Sequence, residues 1–104
     1  MNIELTRDTQ KAGAKLYKEY LNRVNNGMSK YEAKEFSDEE LAALFADENP
    51  MDAQQERREL INTFSMKTNI LDDLTLSDSF IVYMENKFKN NIKEVLSFLS
   101  QFIP

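Results

Sequence analysis

The last quarter of the chain carries the pattern that most constrains its fold. Apolar residues recur there every three or four positions, at Ile81, Met84, Phe88, Ile92, Val95, Leu99 and Phe102. This spacing places one apolar side chain per turn on a single helical face. We therefore predict one long helix over residues 77–103, capped by Ser77. Lys89, Asn90 and Asn91 are the place where that helix would break, but the apolar face continues through them in phase, which favours a continuous helix.

This predicted helix is long for a chain of 104 residues. About 25 residues of helix span about 37 Å, more than the body of so small a domain. We therefore expect part of it to lie along a second copy, and we predict a homodimer. The dimer interface would be a C-terminal apolar face that consists of Phe88, Ile92, Val95, Leu99 and Phe102. Packing of the same face within one chain is the alternative explanation.

Cap signatures divide the remainder into shorter helices. Helix starts are predicted at Thr6, at Ser29 with Glu32, at Ser37 with Glu40, and at Asn49 followed by Pro50. The first helix is expected to end at residues 25–27 (Asn-Asn-Gly), and the next two to cover residues 29–36 and 37–46. A polar helix then runs to Phe64. Ile3 and Leu5 suit a very short edge strand or an extended arm.

Between residues 65 and 76 the helical period stops. Met66, Thr68 and Ile70 alternate with polar residues before Asp72 and Asp73, and Leu74 and Leu76 do so after them. Short alternating runs on either side of paired aspartates are typical of a small hairpin. The sequence thus predicts one domain over residues 1–104 that is mainly α with a minor β part.

Composition lowers the expectation of catalysis. The chain has no Cys and no His, so thiolate chemistry, disulfides and the usual zinc ligands are absent. We predict a protein that is not an enzyme and that binds no metal and no cofactor. No apolar run reaches the length of a membrane span, and the first residues lack the pattern of a signal peptide. A cytoplasmic protein without membrane contact is expected.

The net charge of −5 is unevenly distributed along the chain. Residues 1–34 contain seven Lys and Arg against four acidic residues, whereas residues 35–59 contain two against nine. A basic stripe on the first helix consists of Arg7, Lys11, Lys15 and Lys18. Such a stripe suits a phosphate backbone or an acidic partner, but it is also what a solvated helix face contains. The acidic middle suits a basic protein partner, or only serves helix capping.

The order of the predicted elements resembles a winged helix-turn-helix domain. Local sequence supports the resemblance: residues 16–21 (LYKEYL), then Gly27-Met28-Ser29-Lys30, and after the hairpin Leu76-Ser77-Asp78 with Ile81 and residues 83–86 (YMEN). Together these are similar to small winged-helix proteins of Gram-positive bacteria and of their phages and mobile elements. Phe80 departs from the glycine common there, and residues 63–65 depart from the usual Gly-aromatic pair.

The resemblance implies a winged-helix-like domain with a two-stranded hairpin, used as an accessory transcriptional regulator that binds double-stranded DNA. The polar helix would then be the recognition helix. Its candidate DNA-binding residues, with one from the hairpin, are Gln54, Gln55, Arg58, Asn62 and Lys67. Arg suits guanine, and Gln or Asn suits adenine. The acidic residues Asp52, Glu56, Glu59, Asp72 and Asp73 would oppose DNA. An acidic protein-interaction module that keeps the fold without binding DNA is the alternative.

Overall fold

The computed structural model describes residues 3–89 and 91–102, in which six α-helices and three short strands occur. The helices are α1 (Arg7–Asn25), α2 (Lys30–Ala33), α3 (Asp38–Leu44), α4 (Pro50–Phe64), α5 (Asp78–Phe88) and α6 (Ile92–Ser100). The strands are β1 (Glu35–Phe36), β2 (Lys67–Thr68) and β3 (Leu74–Thr75). The prediction of a mainly α chain with a minor β part is confirmed. None of the described helices combines the length and the apolar character of a membrane span.

The helix starts follow the predicted cap residues. The Thr6 hydroxyl accepts a hydrogen bond from the Thr9 amide at 3.2 Å. At α3 the bonds are reciprocal, because the Glu40 amide donates to the Ser37 hydroxyl at 3.1 Å and the Ser37 amide donates to the Glu40 carboxylate at 2.9 Å. The bond from the Ser37 amide is the main reason that the pKa of Glu40 lies below its usual value. Side chains also cap the starts of α2, α4 and α5, at Ser29, Asn49 and Ser77.

The predicted hairpin forms, and a third strand that the sequence did not indicate joins it. β3 lies between β1 and β2 in an antiparallel sheet, with Phe36 of β1 opposite Leu74. The prediction of a helix over residues 29–36 was wrong at its end, because α2 stops at Ala33. Phe36 is buried and Glu35 is exposed, an alternation that suits a strand and not a helical turn.

Helix α1 lies at the centre of the core, since α2, α4, α5 and α6 all pack against it. Leu16 and Tyr17 are fully buried. Gly13 permits the close approach of α5, because a Cβ there would lie 2.6 Å from the Cε atom of Met84. Leu5, in the segment predicted as an edge strand or an arm, is buried but belongs to no strand.

The prediction of one continuous helix over residues 77–103 was wrong. Helix α5 ends at Phe88, Lys89 adopts a left-handed conformation with φ of 52°, and α6 begins after Asn91. The Asn91 side chain accepts a hydrogen bond of 2.9 Å from the first turn of α6 and so caps it. A straight helix of ~37 Å would also exceed the longest dimension of the chain, 33 Å. Two positions of this region, Asn90 and Ile103, lie outside the described residues.

The chain changes direction between α5 and α6, and we call this break the chain reversal. It brings the C-terminal apolar face back onto its own chain. Phe88 and Val95 are buried in the core, Ile92 and Leu99 pack half-buried against it, and Phe102 is also half-buried. The alternative explanation, packing within one chain, therefore accounts for this face. None of the described helices projects from the fold in a way that requires a second copy, so the homodimer stays a prediction without that support.

Candidate functional site

The position of α4 on the core turns its predicted binding residues toward solvent. Pro50 occupies the first helical position after the Asn49 cap, as predicted. Ala53, Leu60 and Phe64 are buried on the face toward the core. The opposite face carries an exposed set that we call the α4 row, which consists of Gln54, Gln55, Arg58 and Asn62. Within the described part of the chain, the side chains of this row form no hydrogen bond or ion pair with another residue.

The acidic residues of α4 mostly face away from the α4 row. Glu56 is buried on the core side. The Glu59 carboxylate accepts a hydrogen bond of 2.8 Å from the Thr9 hydroxyl of α1. Asp52 is exposed in the first helical turn, where its charge favours the positive end of the helix dipole. The repulsion of phosphate that the sequence predicted from these three residues is therefore weaker at the row itself.

A groove of about 280 Å³ runs between α3, α4 and the hairpin. Its lining residues are Asp38, Leu41, Gln54, Arg57, Arg58, Ile61, Thr68, Asp72 and Leu74. The structure thus brings Gln54 and Arg58 to the hairpin, whereas Gln55 and Asn62 do not line this groove. Lys67 is exposed on β2 and does not line it either. Two guanidinium groups face two carboxylates here, so the groove is polar without a strong net charge.

Arg57 holds a packing role that the sequence did not indicate. Its guanidinium lies 5.4 Å from the centre of the Phe45 ring, and the ammonium of Lys15 lies at the same distance from that ring. Such cation–π contacts favour a cation over an aromatic face. Arg57 therefore helps to fix the connection between α3 and α4, while its neighbour Arg58 stays free.

The hairpin tip (residues 69–73) displays two large apolar side chains to water. Ile70 is 97% exposed and Leu71 is 71% exposed. The Asn69 side-chain oxygen orders the tip by accepting hydrogen bonds from the amides of Leu71 at 2.9 Å and Asp73 at 3.1 Å. The predicted hairpin turn is present, but its central residues are Ile70 and Leu71 and not the paired aspartates, because the Asp72 amide donates to the Asn69 backbone oxygen at 3.0 Å. The exposed apolar pair was missed, because the alternation placed Ile70 in a strand.

The predicted basic stripe on α1 is largely occupied within the chain. The Lys15 ammonium lies 2.9 Å from the carboxylate of Asp47 and 2.9 Å from that of Glu48, both between α3 and α4. Burial lowers the pKa of Lys15, but the hydrogen bonds and charges of these two carboxylates outweigh it, so that the pKa is raised overall. Lys15 therefore connects α1 to the segment that precedes α4.

The other members of the stripe do not complete an open surface. The Arg7 guanidinium lies 4.9 Å and the Lys11 ammonium 5.5 Å from the centre of the Phe102 ring. Lys18 is half-exposed and forms no ion pair with any described residue. The stripe and the C-terminal apolar face thus pack against each other at Phe102. The sequence did not predict this contact, because it did not predict the chain reversal between α5 and α6.

Arg23 is the most connected charged residue that sequence reasoning missed. Its guanidinium donates hydrogen bonds to the backbone oxygens of Ala33 at 3.3 Å and Glu35 at 2.7 Å. It also lies 4.1 Å from the centre of the Phe36 ring and pairs with the Glu40 carboxylate. These contacts join α1 to β1 and α3. Arg23 therefore has a structural role, and no local sequence pattern marks it.

No group of three or more potential ligands in residues 3–89 and 91–102 is arranged to hold a metal ion. Comparisons with protein-family models, with curated proteins and with solved structures found no match. The α4 row and the groove beside it are therefore the candidate site on geometric grounds alone.

Proposed function

We propose that this protein is a small, non-enzymatic, winged-helix-like regulator that acts in the cytoplasm and binds double-stranded DNA through the α4 row. The observation that carries the proposal is that this row is exposed, polar and free of intramolecular partners. Guanidinium and carboxamide groups are the side-chain groups that pair best with guanine and adenine edges in the major groove. A phage or mobile-element origin stays part of this proposal.

The arrangement of elements supports the proposal. Helices α3 and α4 follow each other through a short connection, and the antiparallel hairpin β2–β3 comes directly after α4. In a helix-turn-helix the second helix enters the major groove, and here that helix is α4. Lys67 on β2 is exposed and suited to a phosphate contact.

The charges near the site predict how such a complex would depend on salt. Arg58 and Lys67 are the cations that the proposal assigns to DNA, while Asp38 and Asp72 line the groove with negative charge. Each neutralised phosphate adds about −0.9 to the slope of log K against log salt. Two cations give a slope of about −2, so base contacts would supply much of the affinity.

A titration of labelled duplex tests the proposal. Duplexes enriched from a random-sequence pool by the protein would be followed by fluorescence anisotropy at low salt and at about 0.2 M salt. We expect saturable binding that Arg58→Ala weakens at least about fivefold and that Lys18→Ala leaves unchanged, since a good bidentate contact contributes about 1–3 kcal/mol. Failure to enrich any duplex, or equal loss in both variants, would contradict the proposal.

The hairpin tip favours a second candidate, an acidic protein-interaction module. Ile70 and Leu71 protrude from an ordered turn, and the exposed Asp72 follows them in sequence. The Asp73 carboxylate accepts hydrogen bonds from the Asn69 side chain and the Asp38 amide. Exposed apolar side chains with a charged rim are typical of protein contacts. The partner would then present an apolar pocket with a basic rim.

Cross-linking from the tip separates this candidate from the first. A photo-reactive group placed at Thr68, an exposed position of β2 beside the tip, would be activated in the native cells, with an Ile70→Ser/Leu71→Ser version as the control. A basic protein captured by the wild-type tip and lost with the control would support the interaction module. Capture of DNA through α4, with no protein at the tip, would support the regulator instead.

A further inference from the structure

Glu56 is an ionisable residue on the buried face of α4. Its exposed fraction is 7%, and its Oε1 atom meets no hydrogen-bond donor in the described residues. Glutamate is rarely buried without a partner, because an ionised carboxylate loses its hydration there. This position lies on the same helix as the α4 row, but on its opposite side.

The groups that surround Glu56 are mostly acidic. Glu48, from the segment before α4, is its main charged neighbour, and Asp8 of α1 and Asp52 of α4 add negative charge. Among the described residues, Lys15 is the one cation that forms an ion pair in this cluster, and it is shared by Glu48 and Asp47. Glu56 itself forms no ion pair with any described residue.

Glu56 therefore keeps its proton to a higher pH than an ordinary glutamate. Burial is the largest cause, followed by the charge of Glu48 and a hydrogen bond with it, and together they raise the pKa of Glu56 to about 7. A protonated Glu56 has a proton to share with the neighbouring Glu48 carboxylate. Glu48 itself pairs with Lys15 of α1. When Glu56 releases its proton to solvent, two carboxylates repel each other in a poorly hydrated place.

We propose that Glu56 is a proton-controlled latch between α4 and α1, which holds the helix in its docked position when protonated and loosens it when ionised. The consequence for binding rests on the proposed function, because the latch positions the α4 row. The loosening of α4 itself does not depend on DNA. Proton release would weaken the docking of α4 across the neutral range.

Unfolding experiments across pH test the latch. A glutamate whose pKa moves from its ordinary value of 4.5 to about 7 makes the unfolding constant rise by roughly 70-fold between pH 5 and pH 8. Glu56→Gln mimics the protonated form, so we expect the wild-type to variant ratio of unfolding constants to rise by that factor. Glu59→Gln is the matched control, since its amide oxygen can still accept from Thr9. An unchanged ratio would overturn the proposal.

A second measurement keeps the test independent of the variant's folding. The side-chain carboxyl carbon of Glu56 would be titrated by NMR in the wild-type protein, with hydrogen exchange of α4 followed at each pH. A midpoint near 7, together with faster exchange in α4 at higher pH, supports the latch, and a midpoint below 5 overturns it. DNA binding that is absent at every pH would defeat the proposed function but not this result.

Discussion

Two sides of the molecule carry rows of polar residues at helical spacing. The side chains of one row are held by intramolecular contacts, and those of the other are not. On the α1–α6 side, Arg7 and Lys11 lie over Phe102, and Lys15 is shared by two carboxylates. On the outward side of α4, the side chains of the α4 row make no contacts of this kind within the described residues. The spacing in the sequence is equally regular in both helices.

The difference shows that spacing predicts which residues share a face but not whether that face is free. The basic stripe and the C-terminal apolar face were predicted as two separate binding surfaces. They meet at Phe102, where Arg7 and Lys11 lie over the ring, because α6 packs on α1. The rest of the apolar face packs on the core, and Lys15 is taken up by two carboxylates. Of the basic stripe, the C-terminal apolar face and the α4 row, the row is the one whose side chains are all exposed and form no hydrogen bond or ion pair within the described residues.

The largest expected loss of stability comes from a charge placed on the buried side of α6, compared with the same charge on its exposed side. Val95 is fully buried, whereas its neighbour Leu96 is 45% exposed. Val95→Asp places an unpaired carboxylate in the core, so we expect a loss of at least about 4 kcal/mol in the free energy of unfolding. Leu96→Asp should cost less than about 1 kcal/mol. Urea unfolding followed by circular dichroism measures both.

The same pair of variants tests the predicted homodimer. A dimer that uses the exposed side of α6 beside the C-terminal apolar face would dissociate in Leu96→Asp without unfolding, and light scattering after gel filtration would show the change in mass. If Val95→Asp instead gives a folded monomer of near-normal stability, the apolar face serves an interface and the packing described here is wrong.

A smaller loss of stability is expected when a lysine of the basic stripe is removed. Lys15→Ala leaves Glu48 and Asp47 without their shared cation, and its side chain is only 14% exposed. We expect a loss of about 2 kcal/mol, between the values for surface and buried ion pairs. Lys18→Ala on the same helix should change stability by less than about 0.5 kcal/mol. Equal effects in the two variants would show that the stripe is uniformly solvated.

The hairpin tip should show a change of about 1 kcal/mol. Asn69→Ala removes the acceptor that orders the amides of Leu71 and Asp73. Because the tip is exposed, we expect the loss to appear mainly as faster local hydrogen exchange at residues 69–73. Unchanged exchange rates would mean that the turn is held by other contacts.

The smallest effect on stability is expected in the α4 row. Arg58→Ala should alter the free energy of unfolding by less than about 0.5 kcal/mol, because the side chain has no intramolecular partner. Arg57→Ala, which removes the contact with the Phe45 ring, should cost about 1 kcal/mol. If Arg58→Ala lowers the free energy of unfolding more than Arg57→Ala does, Arg58 is the packed arginine and Arg57 the free one, which contradicts the account.

Local chemistry made much of the fold predictable. Ser37 with Glu40, and Asn49 with Pro50, each fix a helix start through groups a few positions apart. The reversal at Asn91 was harder, because the apolar residues keep their phase on both sides of it and face the same core. The β1 strand and the contacts of Arg23 depend on partners distant in sequence. For the site, the exposed face of α4 was predictable, but the burial of Glu56 and the protrusion of Ile70 were not.

An NMR titration of labelled protein with enriched duplex tests the central claim most directly. We expect the largest chemical-shift changes at the backbone and side-chain amides of Gln54, Gln55 and Asn62, with smaller changes at Lys67. Signals of Lys11 and Lys18 on α1 should stay in place. Shifts concentrated on α1, or none at saturating duplex, would contradict the claim that the outward face of α4 is the surface that the fold leaves free for DNA.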